Sequence, residues 1–560
     1  MRHLTSRQAD FTEQSISALR QAGAAVHRTA QRSCIFSNFS TLIGTGSGLS
    51  ADFSAYEILS GATLTLVGKP NPPYNPSALN FSSNVTLDDA TVTARGTAIF
   101  NPGGAVTAEG GSTVTTEGDN IGTDSAALSL YGAGTTWTEA NDSFGTGNGS
   151  AAGFLNIDAG SVLVAMSAVL NTSGFSNVGD FPSATGNVLM LGGQWNAHGI
   201  SAGPVPGSEG SLSVNTGTVT DAGTLLLGDN GDGTATVSAG GTISFDGTFA
   251  AVGNNAGSSG RLVIGPGGVV RDTRTALSSD NFFSLNIGIH GGSGSLGPST
   301  GAVLVTGTGA LLDLNGNALS VGNNGGQGSL VISNGGTVRA GTQNDNNVAA
   351  LGIGKSGQGD VIVTGAGSAL LLAGGVFDGR GGTGNLVVEN GGSLNVGIDP
   401  LDSSGGLGIG NGTSASNSFV GGSGSATVTG GGRVTIAHGL GVGGYGVNGV
   451  LNVSNGGSVE IGTTMGVGSG GIVAGTVETG VGVVDIGAGG TIQVDAAGFA
   501  AGSAALFLGD FGGAHGSVNV DGAGALLNLG TYAISLGTYN SSSRTAPAAK
   551  AISRWRKAAS

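Results

Sequence analysis

The sequence predicts an all-β fold, a right-handed parallel β-helix (β-solenoid) made of glycine-rich repeats. Three observations predict it. Glycine supplies 114 of the 560 residues and charged residues only 9%, yet 38% of the chain is hydrophobic. One glycine-containing phrase recurs along most of the chain at solenoid-like intervals. Inside that phrase apolar residues alternate with a period of two, the pattern of a strand with one buried face.

The composition excludes the simpler readings of so much glycine. Gly loses more conformational entropy on folding than any other residue, so a chain this rich in it either stays disordered or uses Gly at corners. Disordered segments are poor in aliphatic residues, and this one spaces Val, Leu and Ile regularly. Collagen requires Gly at every third residue, which is not the spacing here. Interior Gly costs a helix about 1 kcal/mol each relative to Ala, and no apolar stripe of period 3.6 offsets that.

The first phrase reads Gly328-Ser-Leu330-Val-Ile332-Ser-Asn334-Gly335-Gly336, and returns at Gly384–Gly392 and Gly449–Gly457. A sister form ends in Thr-Gly-x-Gly, at Gly301–Gly309 and Gly359–Gly367. With looser copies the leading Gly falls at 153, 186, 210, 233, 260, 301, 328, 359, 384, 424, 449, 482 and 516. A second phrase, apolar-x-apolar-Gly, lies between, as in Leu319-Ser-Val321-Gly322, Leu351-Gly-Ile353-Gly354 and Leu440-Gly-Val442-Gly443. A shorter third element follows the Gly pair, as in Thr337-Val338-Arg339. Asn-Gly-Gly and Gly-x-Gly supply tight corners between these strands.

Such short strands cannot bury a core as isolated hairpins. Stacked coil upon coil, their apolar residues line up into a continuous interior while Ser, Thr, Asn and Asp face water. A β-propeller also repeats, with blades of about 40–45 residues, but the shorter, uneven spacing and short strands favour the solenoid. The β-helix is expected over residues 41–540, with divergent coils over 41–150 and clear repeats over 151–540. Residues 1–40 are expected to be partly helical or disordered, and 541–560 to be a basic disordered tail.

Ten of the 19 Lys and Arg fall in the first 32 or last 17 residues, whereas 32 of the 34 Asp and Glu lie between. The body is therefore acidic, which argues against nucleic-acid binding. Cys34 is the single cysteine, so no intramolecular disulfide forms. Phe11–Ala25 is amphipathic and interrupted by Glu13, Gln14 and Arg20, so no signal peptide is recognisable. No apolar run is long enough for a transmembrane helix.

The alternation of G-x-L-x-V-x-N-G-G-x-V with V-T-G-x-G-S-x-L and a trailing L-x-V-G resembles the repeat of type V secretion (autotransporter) passengers and PEP-CTERM-associated surface proteins of Gram-negative bacteria. The resemblance covers roughly residues 150–540. It implies a secreted or cell-surface β-helix, often an adhesin, carried by an outer-membrane β-barrel translocator. The chain departs from that pattern: only 23 residues follow Gly537, ending in Arg554-Trp555-Arg556-Lys557, too few for a barrel.

Motifs that carry chemistry elsewhere are few. Gly297-Pro-Ser299-Thr-Gly301 satisfies G-x-S-x-G, and Gly439-Leu-Gly441-Val-Gly443-Gly444 contains G-x-G-x-x-G. At this glycine content both are expected by chance, and neither has the strand-to-helix context its chemistry needs. Asp229-Asn-Gly-Asp232-Gly233 and Asn344-Asp345-Asn346-Asn347 resemble parts of calcium loops without the terminal Glu and read as solvated turns. His3, His27, His198, His290, His438 and His515 lack metal-ligand spacing and read as surface residues. No residue is assigned as catalytic, cofactor-binding or metal-ligating, and no cofactor is expected.

The expected function is a non-catalytic structural stalk or adhesin whose partners are host or environmental surface ligands. One alternative is a polysaccharide-degrading β-helix enzyme with carboxylates from adjacent coils. With 3 Trp and 6 Tyr the chain is poor in sugar-stacking platforms, and Lys69 and Lys355 are the only lysines inside the solenoid. The other alternative is a truncated, non-functional fragment of a longer autotransporter.

Overall fold

The computed structural model describes residues 81–536, apart from 82–83, 95–96, 101–103, 117, 122–125, 140–154, 158–160, 222, 248, 275–282, 294, 342–349, 380, 399–405, 412–421, 445, 474–475, 496–502 and 510–513. Beyond that range it describes strand backbone at 25–28, 34–37, 42–46, 50–53, 56–58, 63–68, 78–81 and 550–555. Among the described residues every regular element is a strand. The chain divides into two compact units, Met1–Gly247 and Thr248–Ser560.

Both units are parallel β-helices. A typical coil of the second unit lays down Gln327–Ser333 on a first face, Thr337–Ala340 on a second and Leu351–Lys355 on a third. Gln358–Thr364 then returns to the first face, paired in parallel with Gln327–Ser333 in full register. The first unit runs the same circuit, as through Glu209–Asn215, Thr218–Asp221 and Leu225–Leu227.

Register turns the sequence phrases into columns. The leading glycines 301, 328, 359, 384, 424, 449, 482 and 516 pair rung to rung. Behind them Leu330, Val361 and Leu386 form one inward column, and Ile332, Val363 and Val388 the next, all at most 1% exposed. Each such side chain contributes about 1.5–3 kcal/mol by leaving water. The apolar-x-apolar-Gly phrase is the third face. Register places Met465-Gly-Val467-Gly468 there and adds one member that the template missed, Val376-Phe-Asp378-Gly379, with a carboxylate where its neighbours have Ile.

Two corners make the coil possible. Asn334, Asn390 and Asn455 adopt φ of 53°, 53° and 50°, the left-handed region that Asn tolerates better than most residues. At the corner from third to first face, Gly354 has φ 62°, and a β-carbon there would overlap the carbonyl oxygen of Thr383 on the next coil. Neighbouring coils approach too closely at that point for any other residue.

Between Gly301 and Gly482 the uneven repeat spacing alternates between two coil types. The steps from Gly301 to Gly328, Gly359 to Gly384 and Gly424 to Gly449 are 27, 25 and 25 residues. The intervening steps, Gly328 to Gly359, Gly384 to Gly424 and Gly449 to Gly482, are 31, 40 and 33. Over this stretch the longer coils are those with an Asn-Gly-Gly corner, and one insertion is the antiparallel hairpin Met465–Val473/Thr476–Thr479.

Three local readings differ from expectation. Leu155–Ile157, taken with Gly153 as a first-face phrase, pairs with Ser176–Val178 on the third face, while the rung below Gly186 is Ser161. Lys550–Trp555, placed in a disordered tail, pairs in parallel with His515–Val520. Ala25–Arg28 and Cys34–Ser37, within the segment expected to be helical or disordered, form an antiparallel pair.

Candidate functional site

The outward columns are the surface that the fold presents repeatedly. On the first face of the first unit, Ser211 Oγ donates to Asn187 Oδ1 at 2.6 Å. On its second face Asn196 Nδ2 donates to Asn171 Oδ1 (2.7 Å), and Asn171 Nδ2 to Thr138 Oγ1 (3.1 Å). In the second unit Asn385 bridges Asp360 (3.2 Å) and Ser425 (3.1 Å), one coil to either side. Opposed rungs on a sheet lie close enough for short polar side chains to bond directly, so each ladder fixes its members against the surface.

Not every outward position is polar. Val263, Leu304, Val331, Ile362 and Val387 occupy one outward column over five consecutive rungs of the second unit's first face, each half-buried. The column then turns polar through Thr427, Asn452, Asp485 and Asn519. This stripe departs from the polar outer face expected from the repeat. Each residue was legible as the x between L and V in G-x-L-x-V, and only register shows that five of them adjoin.

Ionisable groups in the interior were not anticipated at all. Asp221 ends a second-face strand between Ala197 and Phe245 and is fully buried. Its Oδ1 accepts the Gly223 N–H at 2.9 Å, and its Oδ2 has no partner among the described residues. Burial pushes its pKa up to about 6; the Gly223 bond and His198 oppose the shift, and Asp246 adds to it. Asp378 is buried in the third-face column between Ile353 and Ile409. Neither of its oxygens has a well-formed hydrogen bond among the described residues, and burial drives its pKa well above the ordinary carboxyl value.

Asp272 is the opposite case. It is 2% exposed, takes a bidentate interaction from Arg274, and accepts Ser284 Oγ at 2.5 Å and Asn317 Nδ2 at 2.9 Å. That arrangement staples three segments together and leaves no coordination for a substrate.

The motifs singled out in the sequence are dispersed. Ser299 is fully buried, its Oγ accepting the backbone N–H of His290, while the His290 ring meets the Asn254 carbonyl oxygen at 2.6 Å. A nucleophile needs its hydroxyl on the base's ring nitrogen and open to substrate, and Ser299 has neither. Leu440–Gly444 is a third-face strand running into another strand, so Gly439–Gly444 lacks the helix that a dinucleotide site requires. Asp232 lies on an exposed strand end beside Glu209 on the preceding coil. Residues 344–347 fall outside the described residues. His198, His290 and His515 are exposed and His438 half-buried; His3 and the side chain of His27 lie outside the description. Among the described residues no three His, Cys, Asp or Glu gather as a metal site would require. Trp137 and Trp195 are fully buried in one column, paired through Leu170, so they offer no platform to a sugar.

These features define a repeat-built parallel β-helix with polar ladders and an aliphatic stripe on its outer columns. No model of a known protein family and no curated protein matches the chain. Among solved structures it is similar to the crystal structure of the TibC-catalyzed hyper-glycosylated TibA55-350 fragment, with 14% identity, 78% of this chain and 93% of that chain covered, and a TM-score of 0.19. At that score the likeness carries no argument, and the fold stands on the register described above.

Proposed function

We propose that the chain is a non-catalytic, surface-displayed or secreted passenger-like β-helix that serves as a stalk or adhesin. The observation supporting this most directly is the outer surface of the second unit. Five aliphatic residues in a row, flanked by polar positions such as Ser329, Asp360 and Asn385, form an extended strip suited to contact, not a cleft. The resemblance of the repeat to autotransporter passengers supports the same reading, and the acidic body disfavours nucleic acid as a partner.

Two measurements test it. Protease treatment of intact source cells removes a displayed protein; if the chain survives until the cells are lysed, surface placement fails. For the adhesive role, the purified chain and an Ile362→Asp variant are compared for retention on hydrophobic and on cell-derived surfaces. Several-fold weaker retention of the variant, with hydrogen exchange unchanged, is the expected result; equal retention removes the strip from the proposal.

A further inference from the structure

The Asn-Gly corners hold a reactive dipeptide. In an Asn-Gly sequence the glycine backbone nitrogen can attack the asparagine Cγ. The new N–Cγ bond forms as Cγ–Nδ2 breaks, and ammonia leaves with the proton lost by the glycine nitrogen. Water then opens the cyclic imide to aspartate or isoaspartate. The step needs a free glycine N–H, a free side-chain amide and room for the two to meet.

At three Asn-Gly-Gly corners the stack ties both groups. Asn334 Nδ2 donates to Thr306 Oγ1 on the preceding coil at 3.0 Å, and the Gly335 N–H to Ser368 Oγ on the following coil at 3.1 Å. Asn390 donates to Thr364 Oγ1 at 3.2 Å while the Gly391 N–H bonds the Gly430 carbonyl at 3.1 Å. Asn455 donates to Thr429 Oγ1 at 3.3 Å while the Gly456 N–H bonds the Gly489 carbonyl at 3.2 Å. In each case the leaving group is held by the coil before and the nucleophile by the coil after. This also explains the alternation of sister phrases: the Thr of the Thr-Gly-x-Gly form, or Thr429 of the looser copy, accepts from the Asn of the next coil.

A fourth Asn-Gly-Gly lies at the corner from third to first face. Asn324 is exposed with φ 45°. Its backbone is fixed, the N–H to Lys355 O at 3.1 Å and to its neighbour's Asn323 Oδ1, and the carbonyl accepting from Gly291 at 2.8 Å. Its side-chain amide and the Gly325 N–H have no hydrogen-bond partner among the described residues. We propose that Asn324 is a site of spontaneous deamidation, and that coil stacking protects Asn334, Asn390 and Asn455 from the same reaction.

All four sites share the sequence Asn-Gly-Gly, so local sequence cannot account for a difference between them. The folded full-length chain is incubated in mildly alkaline buffer and the four sites are followed by peptide mapping, with a urea-unfolded sample alongside. In urea the four convert at similar rates. In the folded chain Asn324 converts about tenfold or more faster than the other three, each hydrogen bond to be broken slowing them by a factor of a few. Ser368→Ala frees the Gly335 N–H and accelerates Asn334 alone, Asn390 serving as the internal control; acceleration at both would report unfolding, and Thr306→Val, which frees the Asn334 amide, then decides. Equal folded-state rates at Asn324 and Asn334, or an inert Asn324, overturns the proposal.

Discussion

The two units share one circuit but fill the corner after the second face differently. In the second unit that corner carries Ala340, Leu372, Val396, Ile436, Ile461 and Val494 in consecutive register, all at most 4% exposed. In the first unit the equivalent positions hold Thr116, Glu139, Thr172, Ala197, Asp221 and Phe245, equally buried. Backbone pairing is parallel and in register in both. The coil therefore tolerates a polar inner corner, even where Thr116 Oγ1 and Asp221 Oδ2 have no partner among the described residues, and Thr172 shows the satisfied case. Its Oγ1 accepts from Trp195 Nε1 and from Ser176 Oγ, both at 3.1 Å, which lets an indole sit in the core with its N–H satisfied.

The largest test of this difference is in the second unit, where Asp272 is the polar exception at that corner. Asp272→Ala strands Arg274, Ser284 and Asn317 without their shared acceptor. Removing one partner of a buried ion pair costs about 3–5 kcal/mol. Because repeat proteins unfold in segments, hydrogen exchange is the measurement, and protection should fall most in Ser259–Ile264 and Thr300–Thr306. A loss confined to Arg274 and its neighbours would mean that the staple is local.

Asp221 gives the next largest effect and a definite sign. Its folded pKa, about 6, lies above the ordinary value of 3.8. The folded state thus keeps a proton that the unfolded chain has released. Stability is full below pH 3.8, falls as pH rises toward 6, and is flat beyond, a loss of about 3 kcal/mol. Asp221→Asn should remove most of the slope in the first unit, leaving a smaller one of the same sign from Asp180, whose carboxyl burial also pushes up. A slope of opposite sign would show that the carboxylate is stabilised as the anion.

Much of this was readable before the fold. The leading glycines, the two aliphatic columns behind them and the Asn-Gly-Gly corners follow from period-two alternation and from the conformations that Gly and Asn permit. Three things were hidden for physical reasons. Leu155-Asn-Ile157 has the same letters as Leu285-Asn-Ile287, so only pairing assigns such a tripeptide to the third face. Asp378 breaks the apolar template, which removes its coil from a search for that template. The outward stripe and the buried corner are each made of residues about 25 to 40 positions apart, so they exist only once register is known.

Asp378→Leu extends the comparison by making one further position aliphatic. An acid with no well-formed hydrogen bond becomes a side chain like its rung neighbours Ile353 and Ile409. Relief of the buried polar group is worth about 1–3 kcal/mol, less any strain, since the carboxyl packs against Gly384 on the adjoining first-face strand. The wild-type carboxyl, its pKa raised by burial, should make coils 376–411 weaken as pH rises. The variant should be more stable and insensitive to pH there. A less stable variant would mean that the pocket beside Gly384 fits a carboxyl group and not a branched side chain.

The smallest effect belongs to the outer ladders. Asn171 lies between Thr138 and Asn196, giving one hydrogen bond and taking another, and its side chain is only half-buried. Water can replace both bonds, so Asn171→Ala should cost about 0.5–1 kcal/mol, read as slightly faster exchange in Val169–Thr172 and Gln194–Ala197. A double-mutant cycle with Asn196→Ala separates two explanations of the ladder. A coupling energy near zero would make it a solvated decoration on strands that the backbone already holds. Coupling approaching 1 kcal/mol would make it a register lock, most useful in the first unit, where the inner corner specifies register less sharply than the aliphatic column of the second.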